Sequence, residues 1–320
     1  MKTSVSRVVI VGAGAVGSMT AYNLLVSGAA TEIILIDLNV EKVQGEVMDM
    51  QHSIEFQRRN VKVRAGSYED CKEADIVVLT AAAPMKGETD RLKMQEGSER
   101  ILSGIVPQVM DSGFDGIFIV VSNPVDIMTY LVWKLSGLPY SQVIGTGTVL
   151  ETARLKNLIG QILDMDPRSV DGCVMGEHGE SMMVPWSHVR AGGKEFCDIL
   201  LDSRDRFLEV DLEELVVKTR MAGIEVLGRK GNTQYGIASA VVHIVTAILN
   251  NENKLIPVST YLSGEYGVRD VYCGVPAILN MNGVKEVGNL HLTEEEQVKF
   301  VRSTEKIKSC IEKLKIQLER

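Results

Sequence analysis

Three glycines between an apolar run and a helix-length run limit the fold of this chain more than any other feature. Residues Arg7 to Val11 are apolar enough for a buried strand, and Gly12-Ala13-Gly14-Ala15-Val16-Gly17 follows them directly. The segment from Ala15 to Ser27 then carries regularly placed apolar residues and stops before Gly28. Glycines at these spacings permit a tight turn, leave the backbone open to close approach and let the helix pack tightly on the strand. This order predicts the first strand–turn–helix unit of a parallel α/β sheet.

The first half of the chain repeats this alternation of short apolar runs and longer amphipathic runs. Strands that are covered by helices on both faces read as continuous apolar runs, as these do. The run from Arg91 to Met110 is an imperfect helix, because Gly97, Gly104 and Pro107 interrupt it. The pattern predicts a doubly wound parallel sheet of the Rossmann type. Its further strands are predicted at Glu32 to Asp37, Val61 to Gly66, Asp75 to Ala81, Gly116 to Ser122 and Gln142 to Thr146.

The second half of the chain has a different pattern, which begins near residue 148. A helical stretch from Val149 to Leu163 is followed by an extended segment through Gly176 and then by mostly helix-like sequence. The last helix begins at a predicted capping box formed by Thr293 and Glu296. We therefore predict a Rossmann domain over residues 1–145 and an α+β substrate-binding domain over residues 146–320.

Composition excludes several classes of partner. The 320 residues carry 34 Lys and Arg against 42 Asp and Glu, a net charge of −8, which disfavours binding to nucleic acid or to anionic membranes. The five cysteines are scattered and form no CxxC pair, which indicates a reducing compartment. No stretch approaches the roughly 20 apolar residues that cross a bilayer, and glycines interrupt the apolar run near the N-terminus. The sequence therefore predicts a cytoplasmic protein.

The glycine turn is followed at a fixed distance by an acidic residue that indicates its ligand. Asp37 ends the second predicted strand, 20 residues after Gly17. In a dinucleotide-binding unit Gly12, Gly14 and Gly17 shape the diphosphate site, and an acidic side chain at this place accepts hydrogen bonds from the ribose hydroxyls. The same carboxylate would repel a 2′-phosphate, so NAD is predicted rather than NADP.

Several polar residues have the chemistry of a catalytic site. His178 stands between glycines in Gly176-Glu177-His178-Gly179, while Glu151 and Arg154 are three apart on one face of a predicted helix. Arg91 and Asn123 follow the fourth and fifth predicted strands, at the sheet edge where α/β proteins bind ligands. Taken singly, the helix pair could be an exposed ion pair, the histidine a structural one and Arg91 a surface charge.

Taken together, the motifs make the chain similar to a known family, the NAD-dependent L-lactate and malate dehydrogenases, which include the L-2-hydroxyisocaproate dehydrogenases. The resemblance covers essentially the whole chain. It rests on the glycine motif with Asp37, on Ser122-Asn123-Pro124-Val125-Asp126, on Ile144-Gly145-Thr146-Gly147-Thr148 leading to Arg154, and on Gly176-Glu177-His178-Gly179.

The resemblance implies catalytic roles for two of these residues. His178 matches the family's base, and an imidazole exchanges a proton with a secondary alcohol near neutral pH. Glu151 matches the carboxylate that orients the imidazole. Most family members have aspartate there, and we expect the longer glutamate still to hydrogen-bond His178. No metal ion is implied.

The resemblance also implies the residues that hold the substrate. Arg154 matches the arginine that binds the substrate carboxylate. Arg91 matches a lid arginine that polarises the substrate carbonyl, Asn123 a carbonyl or cofactor contact, and Thr233 a position in the pocket wall. A homotetramer is the usual assembly of the family, although dimers occur.

One departure from the family bears on the substrate. Met85 falls on the lid position that is glutamine in typical lactate dehydrogenases and arginine in malate dehydrogenases. Because it would leave the second carboxylate of oxaloacetate buried without a partner, malate dehydrogenase activity is disfavoured. Pyruvate is expected, with larger aliphatic 2-oxo acids as the alternative. Lys86 is a nearby cation that could change this preference.

A second departure concerns regulation. The fructose 1,6-bisphosphate site of many bacterial lactate dehydrogenases corresponds to Lys156 and Asp171. Because an aspartate repels phosphate, weak or absent activation by this compound is expected.

Two functions of other classes remain open at this point. An NAD-using glycoside hydrolase would need a metal beside the nicotinamide, and Cys173 is the only cysteine near His178 in sequence. A structural protein that binds NAD without catalysis is the other alternative.

Overall fold

The computed structural model describes residues 6–82 and 91–314. Its first half contains six parallel strands close to the predicted positions, with one helix after most of them. The strands are β1 (Arg7–Val11), β2 (Glu32–Ile36), β3 (Lys62–Ala65), β4 (Ile76–Leu79), β5 (Ile117–Val120) and β6 (Val143–Gly145). The helices are α1 (Ala15–Ser27), α2 (Val40–Ser53), α3 (Arg91–Asp111) and α4 (Val125–Ser136).

The second half combines helices with antiparallel strands. Its helices are α5 (Val149–Leu163), α6 (Phe196–Asp202), α7 (Leu212–Lys230), α8 (Tyr235–Leu249) and α9 (Glu294–Ile311). Three two-residue strands form a small separate sheet: β7 (Val170–Asp171), β8 (Arg190–Ala191) and β9 (Lys194–Glu195). Three longer strands follow: β10 (Lys254–Ser263), β11 (Arg269–Asn280) and β12 (Gly283–Val287).

The expectation of mostly helix-like sequence after Gly176 is wrong for the segment that forms β10 to β12. These strands add to the parallel sheet and give the order β12-β11-β10-β6-β5-β4-β1-β2-β3. The join lies at Ser259 of β10, which pairs with Gly145 of β6. Strands β10 and β11 each contain a proline, a residue that argues against a strand in sequence, but Pro257 and Pro276 lie opposite each other in the hairpin. Strands from before and after residue 145 form one sheet, so the sheet does not mark a boundary there. The domain boundary near residue 145 stays a prediction.

The sheet separates two apolar cores. Val8 and Ile10 of β1 pack into the core that includes α1, α2 and α8, while the alternate residues Val9 and Val11 pack into the core of α3, α4 and α9. Both faces of the strand are therefore dry, which explains its continuous apolar sequence. The predicted α/β class, with a Rossmann sheet followed by a mixed α and β region, is confirmed.

Helix ends follow the sequence signals. At the start of α9 the Thr293 hydroxyl accepts the backbone N–H of Glu296, and the Glu296 carboxylate accepts that of Thr293, so the predicted capping box is present. Helix α1 is capped at its C-terminus by Gly28, whose φ is 62°. Among residues 6–82 and 91–314 no helix combines the length and the hydropathy that crossing a membrane requires.

Candidate active site

The turn between β1 and α1 has room for a ligand at one glycine and none at the other two. A Cβ atom on Gly12, whose φ is 108°, would lie 2.7 Å from the backbone nitrogen of Ala81, and one on Gly17 would lie 1.8 Å from the carbonyl oxygen of Gly12. By contrast, a Cβ on Gly14 would meet no atom within 4 Å. Gly14 also caps the N-terminus of α1. The first backbone N–H groups of a helix lack partners within it, so this open side suits the diphosphate of NAD.

The carboxylate of Asp37 is tied to the same turn. Its Oδ2 accepts the backbone N–H of Ala13 at 2.7 Å, and its Oδ1 accepts that of Asn39 at 3.0 Å. Because a carboxylate offers about four acceptor positions, Asp37 retains capacity for the ribose hydroxyls. The donors and acceptors present therefore fit a dinucleotide.

Sequence reasoning missed one residue that contacts this turn. The Thr80 hydroxyl, just beyond β4, donates to the carbonyl oxygen of Gly12 at 2.8 Å. It fixes the turn against the end of a neighbouring strand. The available signal was a hydroxyl residue directly after a buried apolar strand.

A chain of three charged side chains lies where α5 meets the loop after Gly176. Glu151 is 4% exposed, and its carboxylate accepts from both neighbours. Its Oε2 is 3.1 Å from Nδ1 of His178, and its Oε1 is 3.0 Å from Nη1 of Arg154. The predicted hydrogen bond between Glu151 and His178 is therefore present, and so is the i,i+3 ion pair within α5.

The electrostatics of these three side chains favour a protonated imidazole on His178. Burial lowers the pKa of His178, but the charge of Glu151 and its hydrogen bond outweigh this and, with a smaller contribution from Asp126, raise the pKa to about 9. Burial disfavours the charged form of Glu151 too and so acts to raise its pKa. The cations at His178 and Arg154 nevertheless hold that pKa below its ordinary value. At neutral pH the pair is therefore imidazolium and carboxylate. With Nδ1 engaged, Nε2 is left to exchange a proton.

The guanidinium of Arg154 packs against a glycine of α7. A Cβ on Gly223 would lie 3.1 Å from Nη2 of Arg154, so only glycine leaves the guanidinium undisturbed. Sequence reasoning missed this residue too. The signal was a glycine inside a helical run, where it costs roughly 1 kcal/mol relative to alanine and needs a packing reason.

The other predicted site residues are Asn123, Thr233, Arg91 and Met85. Asn123 lies beyond β5 and is exposed, and its carbonyl accepts the Ser98 hydroxyl at 2.6 Å. Thr233 is half-buried between α7 and α8, and in the described part of the chain no hydrogen bond joins it to His178. Arg91 is the first residue of α3, but its side chain lies outside the described part, as does the whole of Met85.

The residues considered for other ligands have these positions. Lys156 is half-buried on α5 and Asp171 is exposed on β7, and the expectation about fructose 1,6-bisphosphate stays a prediction. Burial raises the pKa of the Cys173 thiol to about 12. At neutral pH the thiol of the metal-free protein is therefore protonated.

Comparison with known proteins decides the family. Residues 6–145 match the model of the lactate/malate dehydrogenase NAD binding domain, and residues 148–317 match that of the lactate/malate dehydrogenase alpha/beta C-terminal domain. The chain belongs to the lactate/malate dehydrogenase family. As a member of this family it is an NAD-dependent oxidoreductase, and its cofactor is NAD.

Relatives within the lactate/malate dehydrogenase family match nearly end to end. L-lactate dehydrogenase 3 of Bacillus cereus is 48% identical over 305 residues, which are 95% of this chain and 96% of the relative. L-lactate dehydrogenase 2 of Bacillus cereus is 45% identical over 311 residues, 97% and 99% of the two chains. The ligand-bound crystal structure of the minor L-lactate dehydrogenase from Enterococcus mundtii has a TM-score of 0.94 at 44% identity and covers 98% of this chain and 99% of its own.

Proposed function

We propose that the protein is an L-lactate dehydrogenase, which interconverts pyruvate and L-lactate with NADH and NAD⁺. The observation that carries this proposal is the hydrogen bonding of Glu151 to both His178 and Arg154. It sets a proton donor, the imidazole, beside a guanidinium that can bind a carboxylate. The relatives that share 45–48% of its residues bear the same name.

The residues of this chain account for binding and for proton transfer. Gly12, Gly14, Gly17 and Asp37 would hold the NADH, which supplies a hydride to C2 of pyruvate. Arg154 has a planar guanidinium that pairs with the pyruvate carboxylate through two parallel hydrogen bonds. The substrate is thereby oriented with its 2-oxo group near the imidazole.

Proton transfer completes the reduction. As the carbonyl bond of pyruvate opens, the oxygen gains negative charge and takes the proton from Nε2 of His178. Glu151 remains ionised and stabilises the imidazolium before the transfer. The products are L-lactate and NAD⁺, and the imidazole is left neutral. In the reverse direction the same neutral imidazole accepts the hydroxyl proton.

Roles for three further residues are part of this proposal. Arg91 would polarise the carbonyl, Asn123 would contact the carbonyl or the cofactor, and Thr233 would form part of the pocket wall. Met85 would close over the methyl group of pyruvate without offering a partner for a second carboxylate. Oxaloacetate is therefore the poorer substrate.

A panel of 2-oxo acids tests the reaction. NADH oxidation is followed by absorbance with pyruvate, 4-methyl-2-oxopentanoate and oxaloacetate, and kcat/KM is compared among the three. We expect pyruvate to be the best. A preference for 4-methyl-2-oxopentanoate or for oxaloacetate would contradict the proposed substrate, and no oxidation with any of them would contradict the proposed enzyme activity.

We also propose that the protein acts in the cytoplasm, where NADH is available. We propose further that it is a homo-oligomer, either a tetramer or a dimer. Support for assembly comes from large apolar side chains exposed on and beside α2, since Val40, Met48 and Phe56 are 58%, 56% and 85% exposed. Sedimentation velocity would show an oligomer, and a monomer at micromolar concentration would contradict the assembly.

A further inference from the structure

A second carboxylate, Asp126, also contacts His178, but it binds the backbone N–H rather than the ring. Asp126 lies in the first turn of α4 and is 3% exposed. Its Oδ2 accepts the backbone N–H of His178 at 2.8 Å, and its Oδ1 accepts the hydroxyl of Ser259 at 2.6 Å. One side chain therefore joins α4, β10 and the loop that carries the imidazole.

We propose that Asp126 is a positioning residue for His178, which fixes the loop through its backbone amide and adds a negative charge that favours the imidazolium. The inference rests on the proposed function, in which His178 is the proton donor. It assigns to Asp126 an effect on the pH range of the reaction and not only on the stability of the fold.

The hydrogen bonds alone do not require a carboxylate at this position. An asparagine amide could accept the His178 N–H through its oxygen and donate to the Ser259 oxygen through its nitrogen. It would do so without the free-energy cost of a buried charge. The charge of Asp126 therefore needs an explanation beyond these two contacts, and the nearby imidazolium provides one.

The groups that surround Asp126 leave it ionised above mildly acidic pH. Burial raises the pKa of Asp126 to about 6, while the hydrogen bonds from Ser259 and His178 oppose that rise and the charge of Glu177 adds to it. On the β11 side, burial and the charge of Asp126 hold the pKa of the Cys273 thiol well above its ordinary value, so that thiol stays neutral.

The pKa of His178, which Asp126 affects, also depends on the other charged groups near the imidazole. Glu151 and Arg154 approach from α5 with opposite charges. Glu177, on the same loop, is paired at 3.1 Å with Lys306 of α9. The charge of Asp126 acts in the same direction as that of Glu151 and raises the pKa of His178.

Replacement by the isosteric amide separates charge from geometry. In Asp126→Asn we expect the alkaline limit of kcat/KM for pyruvate reduction to move down by about one pH unit, since an opposite charge at close range shifts a pKa by about 1–3 units. Above the wild-type limit this is a loss of about tenfold. The affinity for NADH should stay within about twofold of wild type.

Ser259→Ala is the matched control. It removes one hydrogen bond from Asp126 but keeps the carboxylate, so its alkaline limit should stay at the wild-type position. An Asp126→Asn variant that loses kcat/KM equally at every pH, with an unmoved limit, would overturn the proposal and leave Asp126 a purely structural residue.

An NMR measurement tests the same idea without an activity assay. The chain has five histidines, so selective ¹⁵N labelling of histidine followed by NMR, with His178→Asn for assignment, resolves the His178 backbone amide. We expect its shift to titrate near pH 6, because Asp126 ionises there, and the imidazole of Asp126→Asn to titrate lower than that of wild type.

The outcomes of these experiments are distinguishable. An amide titration absent from the whole range between about pH 3 and 7 would mean that Asp126 is not ionised at neutral pH. This result would overturn the proposal even if Asp126→Asn failed to fold. Lack of activity toward all three 2-oxo acids would overturn the proposed function instead, while the imidazole titration would still report the effect of Asp126.

Discussion

Replacing Glu151 by glutamine should move the pH range of pyruvate reduction, because it removes the charge but keeps an oxygen that can accept from Nδ1 of His178. In wild type the two charged groups are 3.1 Å apart. With an effective dielectric constant of about 20, their attraction is roughly 5 kcal/mol. Burial and Arg154 offset part of it, and the pKa of His178 rises from 6.5 to about 9. That rise corresponds to about 3 kcal/mol in favour of the imidazolium.

Without the Glu151 charge, burial and Arg154 act to lower the pKa of His178, and only the smaller effect of Asp126 opposes them. We therefore expect a pKa below 6.5 in Glu151→Gln. At pH 7.5 at most about a tenth of this variant would hold the imidazolium, whereas nearly all of the wild type would. Pyruvate reduction needs the protonated form, so kcat/KM at pH 7.5 should fall at least about tenfold and the deficit should shrink as the pH is lowered.

The assay is initial-rate NADH oxidation at pyruvate concentrations well below KM, from pH 5.5 to 10. Glu151→Asp is the matched control, because it keeps the charge and should keep the alkaline limit near that of wild type. A Glu151→Gln variant whose limit coincides with that of wild type, or whose kcat/KM at pH 7.5 is within about twofold of it, would refute the electrostatic reasoning.

Two further substitutions test the pocket. Gly223→Ala places a Cβ 3.1 Å from Nη2 of Arg154 and should raise the KM for pyruvate about tenfold. It should not destabilise α7, since alanine favours a helix. The control is Gly228→Ala on the same helix, whose Cβ meets nothing within 4 Å and which should leave KM unchanged. Equal KM values for these two variants would contradict the packing argument. Met85→Arg should raise kcat/KM for oxaloacetate relative to pyruvate by tenfold or more, because a guanidinium supplies the missing partner of the second carboxylate; an unchanged substrate ratio would show that residue 85 does not face the substrate.

Features of the fold that depend on neighbouring residues could be predicted from the sequence. The glycine turn, the six parallel strands and the capping box of Thr293 each arise from local periodicity or from backbone preferences that a few residues express. The pairing of His178 with Glu151 followed from family motifs rather than from periodicity. These elements are close to their predicted positions in the structure.

Features that depend on distant contacts could not be predicted in this way. The addition of β10 to the sheet depends on the pairing of Ser259 with Gly145, which are 114 positions apart, and no local signal reports it. The same holds for Gly223, whose importance becomes visible only when the guanidinium of Arg154 lies against it. Asp126 could be quoted as part of a motif, but its burial and its contact with the amide of His178 are properties of the folded chain.

The central claim is that the imidazole of His178 gives the proton during reduction of pyruvate, and one variant tests it most directly. His178→Asn should bind NADH as wild type does, measured by nucleotide fluorescence, while its kcat/KM for pyruvate falls by about 100- to 10,000-fold. Turnover near the wild-type level in a variant that binds NADH normally would contradict the account.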